Sequence, residues 1–168
     1  MKEIIVFILN GKEYGVEISG MQSLEKIQEM SPVPDAPDYI LGSVTIRDEI
    51  YPVFDINSRL GLSRSTDPGV DQTAGQGEEY TKILLLRTPA GTIACLVDGV
   101  GKVLRAEGEN VQSFPKMAMT EGTDFVDFIV REENRLIVVI KPELLLSQEQ
   151  IESIRKIDFS KTDKEESE

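Results

Sequence analysis

Residues 42–56 read GSVTIRDEIYPVFDI and carry the clearest strand pattern in the chain. Two short runs rich in β-branched and aromatic residues, 42–46 and 49–55, flank the pair Arg47-Asp48. β-Branched and aromatic side chains favour strands, and Asp tolerates the left-handed backbone of a tight turn. The stretch therefore predicts a β-hairpin with Arg47 and Asp48 at its tip.

Similar strand–turn–strand units occur on both sides of this hairpin. Asn10-Gly11, the dipeptide that type I′ turns prefer, lies between apolar runs, and further turns are predicted at 89–91 and 133–134. With an extended piece at 102–106, this makes about eight to ten short strands, which is typical of a barrel or sandwich. Strands do not alternate with long helices, so a parallel doubly wound sheet is not expected.

A few short helices accompany the strands. Each is predicted from a polar residue that can accept a hydrogen bond at a helix N-terminus: Ser19 before a helix to about Leu24, Asn57 before 58–60 with Gly61 after it, and Ser147 before 148–157. In the last helix Ile151 and Ile154 share one face. The proline-rich stretch 31–37 predicts a rigid extended connector.

The division of the chain follows its composition. Residues 1–159 are expected to form one domain, with lobe one at roughly 12–62, lobe two at roughly 80–146, and terminal elements free to cross between them. Residues 63–79 contain three glycines and one strong hydrophobe, which predicts a flexible linker. Residues 160–168 are polar and charged, which predicts a disordered acidic tail.

Composition excludes several classes of function. The net charge of the 168 residues is −12, and an acidic surface repels nucleic-acid phosphates and anionic lipid headgroups. The chain has no His and one Cys, so Ser-His-Asp or Cys-His catalysis and a clustered zinc site are ruled out. It carries neither common phosphate-binding glycine motif. We therefore expect no enzyme activity, no metal and no cofactor.

The single cysteine and the N-terminus bear on the compartment. Cys95 lies in the apolar run 93–97, which predicts an inert core thiol. A chain with one Cys forms no internal disulfide, which suits a reducing compartment. The apolar run after Met1 is too short to cross a membrane and lacks a cleavage site. These features predict a cytoplasmic protein without membrane insertion.

Residues 42–56 resemble the signature G-x-V-N-L-R-G-x-I-x-P-V-x-D-L of CheW-like domains. The resemblance extends to 33–40 before the signature and to Arg59-Leu60-Gly61 after it. It also includes the opening Val6-Phe7 and Tyr14-Gly15-Val16, and 97–100, which is similar to a second signature, V-D-x-V. Together the matches span roughly residues 4–146. The sequence departs from the family pattern at Thr45, Asp48, Ser23, Phe128 and Lys141-Pro142.

The resemblance implies a fold and a function. CheW-like proteins fold as two five-stranded SH3-like β-barrels packed side by side, so a mainly β fold is expected. They are non-catalytic adaptors that connect the regulatory domain of the histidine kinase CheA to the cytoplasmic tip of methyl-accepting chemoreceptors. The same family serves other receptor–kinase systems, such as surface motility, and this alternative stays open. A β-barrel enzyme or small-ligand carrier is a further alternative from a different class.

Matching positions imply residue roles. For the receptor these are Met21, Arg47 and Val103, and for the kinase Ser23, Ile40 and Asp48. Each of them has an alternative interpretation as an ordinary core or turn residue. Three more have expected structural roles: Gly42 in close backbone packing, and Asp55 and Asp98, which end strands, in capping the turns or short helices that follow.

Overall fold

The computed structural model describes residues 2–61, 80–113 and 124–157. The predicted linker 63–79 and the predicted tail 160–168 lie outside the described residues. The strands are β1 Lys2–Leu9, β2 Lys12–Glu17, β3 Met21–Lys26, β4 Ile40–Ile46, β5 Glu49–Phe54, β6 Lys82–Thr88, β7 Gly91–Val97, β8 Gly99–Ala106, β9 Val111–Gln112, β10 Val126–Glu132 and β11 Arg135–Ile140. The helices are α1 Ile56–Arg59 and α2 Gln148–Lys156, with 3-10 turns at Ile18–Gly20 and Pro142–Leu144. The predicted mainly β fold with a few short helices is confirmed.

The strands form two sheets. Sheet A has six strands in the order β8-β1-β2-β11-β10-β9, and sheet B has five in the order β3-β6-β7-β5-β4. Sheet A thus exceeds the expected five strands, because the two-residue strand β9 adds to β10. The pairings β2–β11 and β5–β7 are parallel, and the other pairings are antiparallel.

The sheets do not follow the predicted lobe boundaries. Sheet B takes β3, β4 and β5 from before residues 63–79 and β6 and β7 from after them. Sheet A joins the hairpin β1–β2 to the later strands, through β1–β8 and β2–β11 pairing. Composition predicts a linker at 63–79. Strand pairing depends on which segments meet in three dimensions, so strands before and after a predicted linker can belong to one sheet.

The two-residue turns are confirmed where the sequence predicts them. Asn10 and Gly11 have φ of 53° and 78°, and Arg47 and Asp48 have φ of 51° and 69°. Positive φ at both central positions is the type I′ geometry that matches the twist of a hairpin. Arg47 and Asp48 are therefore held at the tip of the β4–β5 hairpin.

Gly42 lies where sheet B meets the chain that leaves β3. Ser31 and Ser43 exchange two backbone hydrogen bonds of 2.8 Å each, which join that chain to the free edge of β4. A Cβ at position 42 would lie 2.6 Å from the Ser31 carbonyl oxygen and 2.6 Å from Met30 Cγ. The close approach of the two segments therefore requires glycine.

Three buried clusters explain the continuous apolar runs. One lies against sheet A alone, one against sheet B alone, and a central core draws on both sheets and α2. In β1, Ile4 and Val6 face the first cluster, whereas Ile5 and Phe7 face the central core. Strands buried on both faces read as uninterrupted hydrophobic runs, as in residues 83–86 and 93–97.

The helix predicted after Ser19 is wrong. Only Ile18–Gly20 forms a 3-10 turn, and Met21–Lys26 is strand β3. This strand pairs with β6 in a register that sets Leu24 opposite Leu84. Edge pairing to a buried strand thus outweighs the local capping preference of Ser19.

The N-terminal cap of α1 differs from the predicted one, whereas the cap of α2 does not. Asp55, not Asn57, caps α1, and its Oδ1 accepts a 3.2 Å hydrogen bond from the Ser58 amide. Asn57 is buried within the helix and donates to the Tyr80 hydroxyl at 2.8 Å. The α2 prediction is confirmed, with Ser147 in a capping box and Ile151 and Ile154 in the central core.

Cys95 is fully buried in the central core, and burial together with the nearby Asp55 carboxylate raises the pKa of its thiol. We expect a thiol reagent at pH 8 to leave the native protein unlabelled and to label one thiol in denaturant. The pKa of the Cys95 thiol is higher in the folded than in the unfolded protein, so folding favours the protonated thiol. This contribution to the free energy of unfolding is complete below the unfolded pKa of about 8.5 and falls as the pH rises above it. Cys95→Ala should lack this alkaline loss, and labelling of the native protein at the denatured rate would contradict the burial.

Candidate partner-binding surfaces

Arg47 is presented outward from the β4–β5 hairpin tip. Its side chain is 74% exposed, and its Nη1 donates to Glu25 Oε2 at 2.8 Å. The Glu25 side chain, on β3, is only 10% exposed. A well-exposed guanidinium is thus tied to a carboxylate that is much less exposed.

The surroundings of Glu25 keep that carboxylate ionised. The Ser23 hydroxyl and the Arg47 guanidinium hold the pKa of Glu25 below its ordinary value. Ser23 and Glu25 are both half-buried on β3, and Asp48 follows Arg47 at the tip. The structure thus gathers Ser23, Glu25, Arg47 and Asp48 into one group, which we call the hairpin-tip cluster.

A polar network links the β4–β5 hairpin to the neighbouring strands β3 and β7. Gln22 Nε2 donates to the Tyr51 hydroxyl at 3.0 Å, and that hydroxyl donates to Glu49 Oε2 at 2.8 Å. Thr92 Oγ1 donates to Gln22 Oε1 at 2.8 Å. These bonds connect β3 with β5 and β7, so the hairpin-tip cluster has a firm base.

Met21 and Val103, the other two predicted receptor residues, lie on different sheets. Met21 begins β3 in sheet B and is half-buried against the central core. Val103 lies on β8 in sheet A and is 49% exposed. The structure therefore places Arg47 in one cluster with the predicted kinase residues Ser23 and Asp48, and Val103 on the other sheet.

Ile40, predicted to contact the kinase, is buried in the central core with 6% of its surface exposed. A side chain in that position is not available as a surface anchor. The neighbouring Leu41 is 41% exposed and lies where the β4–β5 register shifts, between Ile40 and Gly42. Of the two interpretations of Ile40, exposed anchor and core residue, its burial supports the second.

Sequence reasoning missed four exposed hydrophobes on β3, on the chain that leaves it and on β4, which we call the apolar strip. Its members are Leu24, Ile27, Met30 and Leu41, each between 37% and 43% exposed. Met30 and Leu41 adjoin the Ser31–Ser43 bridge, and Met30 packs over Gly42. Clustered exposed hydrophobes are typical of interaction surfaces. Had residues 21–26 been predicted as a strand, the alternation of faces along it would have indicated that Leu24 is exposed and that its two neighbours are half-buried.

Asp98 makes structural contacts. Its Oδ2 accepts a 2.6 Å hydrogen bond from the Asn10 amide, and its own amide donates to the Ile8 carbonyl at 2.9 Å. It therefore supports the β1–β2 turn from the β7–β8 junction. Asp55, as the cap of α1, has a comparable local role.

Two further kinds of feature are absent from residues 2–61, 80–113 and 124–157, the part of the chain that the structure describes. There, no group of three or more His, Cys, Asp or Glu side chains is arranged to hold a metal ion. In the same part of the chain, no helix combines the length and the apolar character needed to cross a bilayer.

Two sheets of short strands around a shared core place the chain in the class of SH3-like β proteins. The family model of the CheW-like domain matches residues 3–150, and the chain belongs to this family. The chemotaxis protein CheW of Bacillus subtilis (strain 168) is 28% identical over 152 residues, covering 90% of this chain and 91% of that protein. That of Treponema pallidum (strain Nichols) is 25% identical over 153 residues, covering 90% of this chain and 86% of the relative.

A solved structure shares the architecture. The crystal structure of the scaffolding protein TtCheW from Thermoanaerobacter tengcongensis superposes with a TM-score of 0.68 at 25% identity. The match covers 86% of this chain and 91% of the other. The family resemblance of the hairpin signature is therefore confirmed.

Proposed function

We propose that this protein is a non-catalytic adaptor that couples methyl-accepting chemoreceptors to the histidine kinase CheA. The observation that carries the proposal is the CheW-like match over residues 3–150. Relatives that are covered over most of their length are named chemotaxis proteins, and the solved relative is named a scaffolding protein. The protein would act in the cytoplasm, recruited to membrane-associated receptor arrays.

The receptor surface is centred on Arg47, with Met21 and Val103 as further contacts. A receptor tip is a bundle of helices, and a helix offers carboxylate side chains and terminal carbonyls as acceptors. The planar guanidinium forms forked hydrogen bonds to such groups. The 74% exposure of Arg47 leaves its outer edge open to a partner.

The kinase surface consists of Ser23, Asp48 and the apolar strip, in which Leu41 replaces the buried Ile40. Protein interfaces combine an apolar centre with a polar rim. The strip offers the apolar centre, and Ser23 and Asp48 supply polar groups near one end of β3. Arg47 lies at the junction of the two proposed surfaces.

Departures from the family pattern favour one alternative. Thr45, Asp48, Ser23 and Lys141 replace usual family residues, and Ser23 and Asp48 belong to the hairpin-tip cluster. A CheW-like adaptor of another receptor–kinase system would account for such changes. A small-ligand carrier has less support, because the cleft of about 490 Å³ between β5 and α2 is open and lined mainly by polar groups, whereas carriers enclose apolar pockets.

Titration calorimetry against the CheA regulatory domain of the same organism tests the proposal. We expect one-to-one binding at micromolar or tighter affinity, and at least about a tenfold loss for Leu41→Asp. Leu136→Asp, a change at an exposed leucine of sheet A, is the matched control and should bind as the parent does. No binding at about 100 μM, a scale of about −5.5 kcal/mol, would instead support the alternative adaptor.

A further inference from the structure

The chain passes from β2 of sheet A to β3 of sheet B through the 3-10 turn Ile18–Gly20, which we call the crossover turn. It leads directly into Met21, the first residue of β3. The Glu17 side chain before the turn does not cap it, and all three residues of the turn are at least partly exposed. Because 3-10 hydrogen bonds have poorer geometry than α-helical ones, the crossover turn depends on contacts from outside it.

Arg87 of β6 supplies two of these contacts. Its Nη1 donates to the Ser19 carbonyl at 3.1 Å and to the Met21 carbonyl at 3.0 Å. Backbone pairing between β3 and β6 reaches Met21 opposite Leu86 and ends there. Arg87, the next residue of β6, therefore holds the chain with its side chain at the point where the backbone ladder stops.

We propose that Arg87 is a positioning residue, which fixes the crossover turn so that Met21 is presented to the receptor. This inference rests on the proposed receptor role of Met21. Arg87 lies in none of the family motifs, and it is exposed, so its side chain does not fill the core. The two carbonyls that its Nη1 binds lie on either side of Gly20, and the guanidinium thus spans the end of the turn.

A crossover turn that is ordered before binding favours recognition. Ile18 in the turn is 37% exposed, and Met21 after it is half-buried against the central core. Each residue whose backbone becomes fixed on binding costs conformational entropy. With its carbonyls held by Arg87, the turn loses less freedom when a receptor helix contacts Ile18 and Met21.

Titration calorimetry of the full chain against a receptor cytoplasmic-tip fragment tests the proposal. We expect Arg87→Ala to weaken receptor binding by about five- to tenfold, as for re-ordering the backbone of one residue. Arg87→Lys should lose less, because its ammonium group can still donate to a carbonyl. Affinity for the CheA regulatory domain should stay within about twofold, since a surface change usually has a small effect elsewhere. In a Met21→Ala background, Arg87→Ala should add less than about twofold. Arg131→Ala, a change at an exposed arginine of β10, is the matched control and should bind both partners as the parent does.

A second measurement needs no partner. The Met21 amide donates to the Ile18 carbonyl and closes the crossover turn. Its hydrogen exchange in the free protein should be about two- to tenfold faster in Arg87→Ala, as for the loss of one hydrogen bond, and unchanged in Arg131→Ala. Unchanged exchange at Met21, undiminished receptor binding, or an equal loss of affinity for both partners would each overturn the positioning role. If the parent does not bind the receptor fragment while Arg87→Ala still speeds exchange at Met21, the proposed receptor function fails and the hold of Arg87 on the turn stands.

Discussion

Replacement of Leu84 by alanine should lower the free energy of unfolding by about 2–5 kcal/mol, the range for deleting a buried leucine side chain. Leu84 is fully buried in the central core. It lies on β6 between Leu24 of β3 and Cys95 of β7, so little around it is free to collapse into the cavity. Urea denaturation followed by circular dichroism measures the loss.

Leu136→Ala is the matched control, because it deletes the same atoms from a side chain that is 58% exposed. Its effect should stay within about 0.5 kcal/mol. Similar losses for the two variants would contradict the placement of Leu84 in the core between the sheets. A changed slope of free energy against urea would point to an altered unfolded state.

Arg47→Ala should leave the fold intact and weaken receptor binding by at least about 30-fold, as expected for an arginine at the centre of an interface. The side chain is 74% exposed, and a surface ion pair contributes only about 0–1 kcal/mol to stability. Its backbone conformation, with φ of 51°, is strained to a similar extent for Ala and Arg. Thermal unfolding and titration with a receptor cytoplasmic-tip fragment separate the two effects.

Arg131→Ala serves as the control, because Arg131 is an exposed arginine on β10 in the other sheet. It should retain both folding and receptor binding. Loss of cooperative unfolding in Arg47→Ala would show that the hairpin tip is structural. Undiminished binding by a folded Arg47→Ala variant would remove Arg47 from the receptor surface.

Local features were predictable because nearby residues decide them. Asn10-Gly11 and Arg47-Asp48 adopt positive φ and close two-residue hairpins. The Ser147 capping box involves only residues three positions apart. The helix predicted after Ser19 failed because β6 offers residues 21–26 a strand partner, an option that a local pattern does not reveal.

The candidate site was predictable in part. The hairpin signature singles out Arg47 and Asp48, and the apolar runs indicate strands. The exposed strip and the choice of Leu41 over Ile40 depend on strand register, since a shift of one residue exchanges the two faces. Glu25 was missed because it lies 22 positions before Arg47 in the chain, and no local sequence pattern indicates that the two residues meet.

The sequence by itself determined the mainly β class, the positions of the tight turns, the buried thiol and the family. These depend on turn chemistry, hydrophobic runs and a signature within a short stretch. Only the tertiary structure decided which strands share a sheet, which hydrophobes remain exposed and which carboxylate holds Arg47. The physical reason is that strand pairing and side-chain ion pairs join residues distant in the chain, whose meeting depends on the packing of both sheets around the central core.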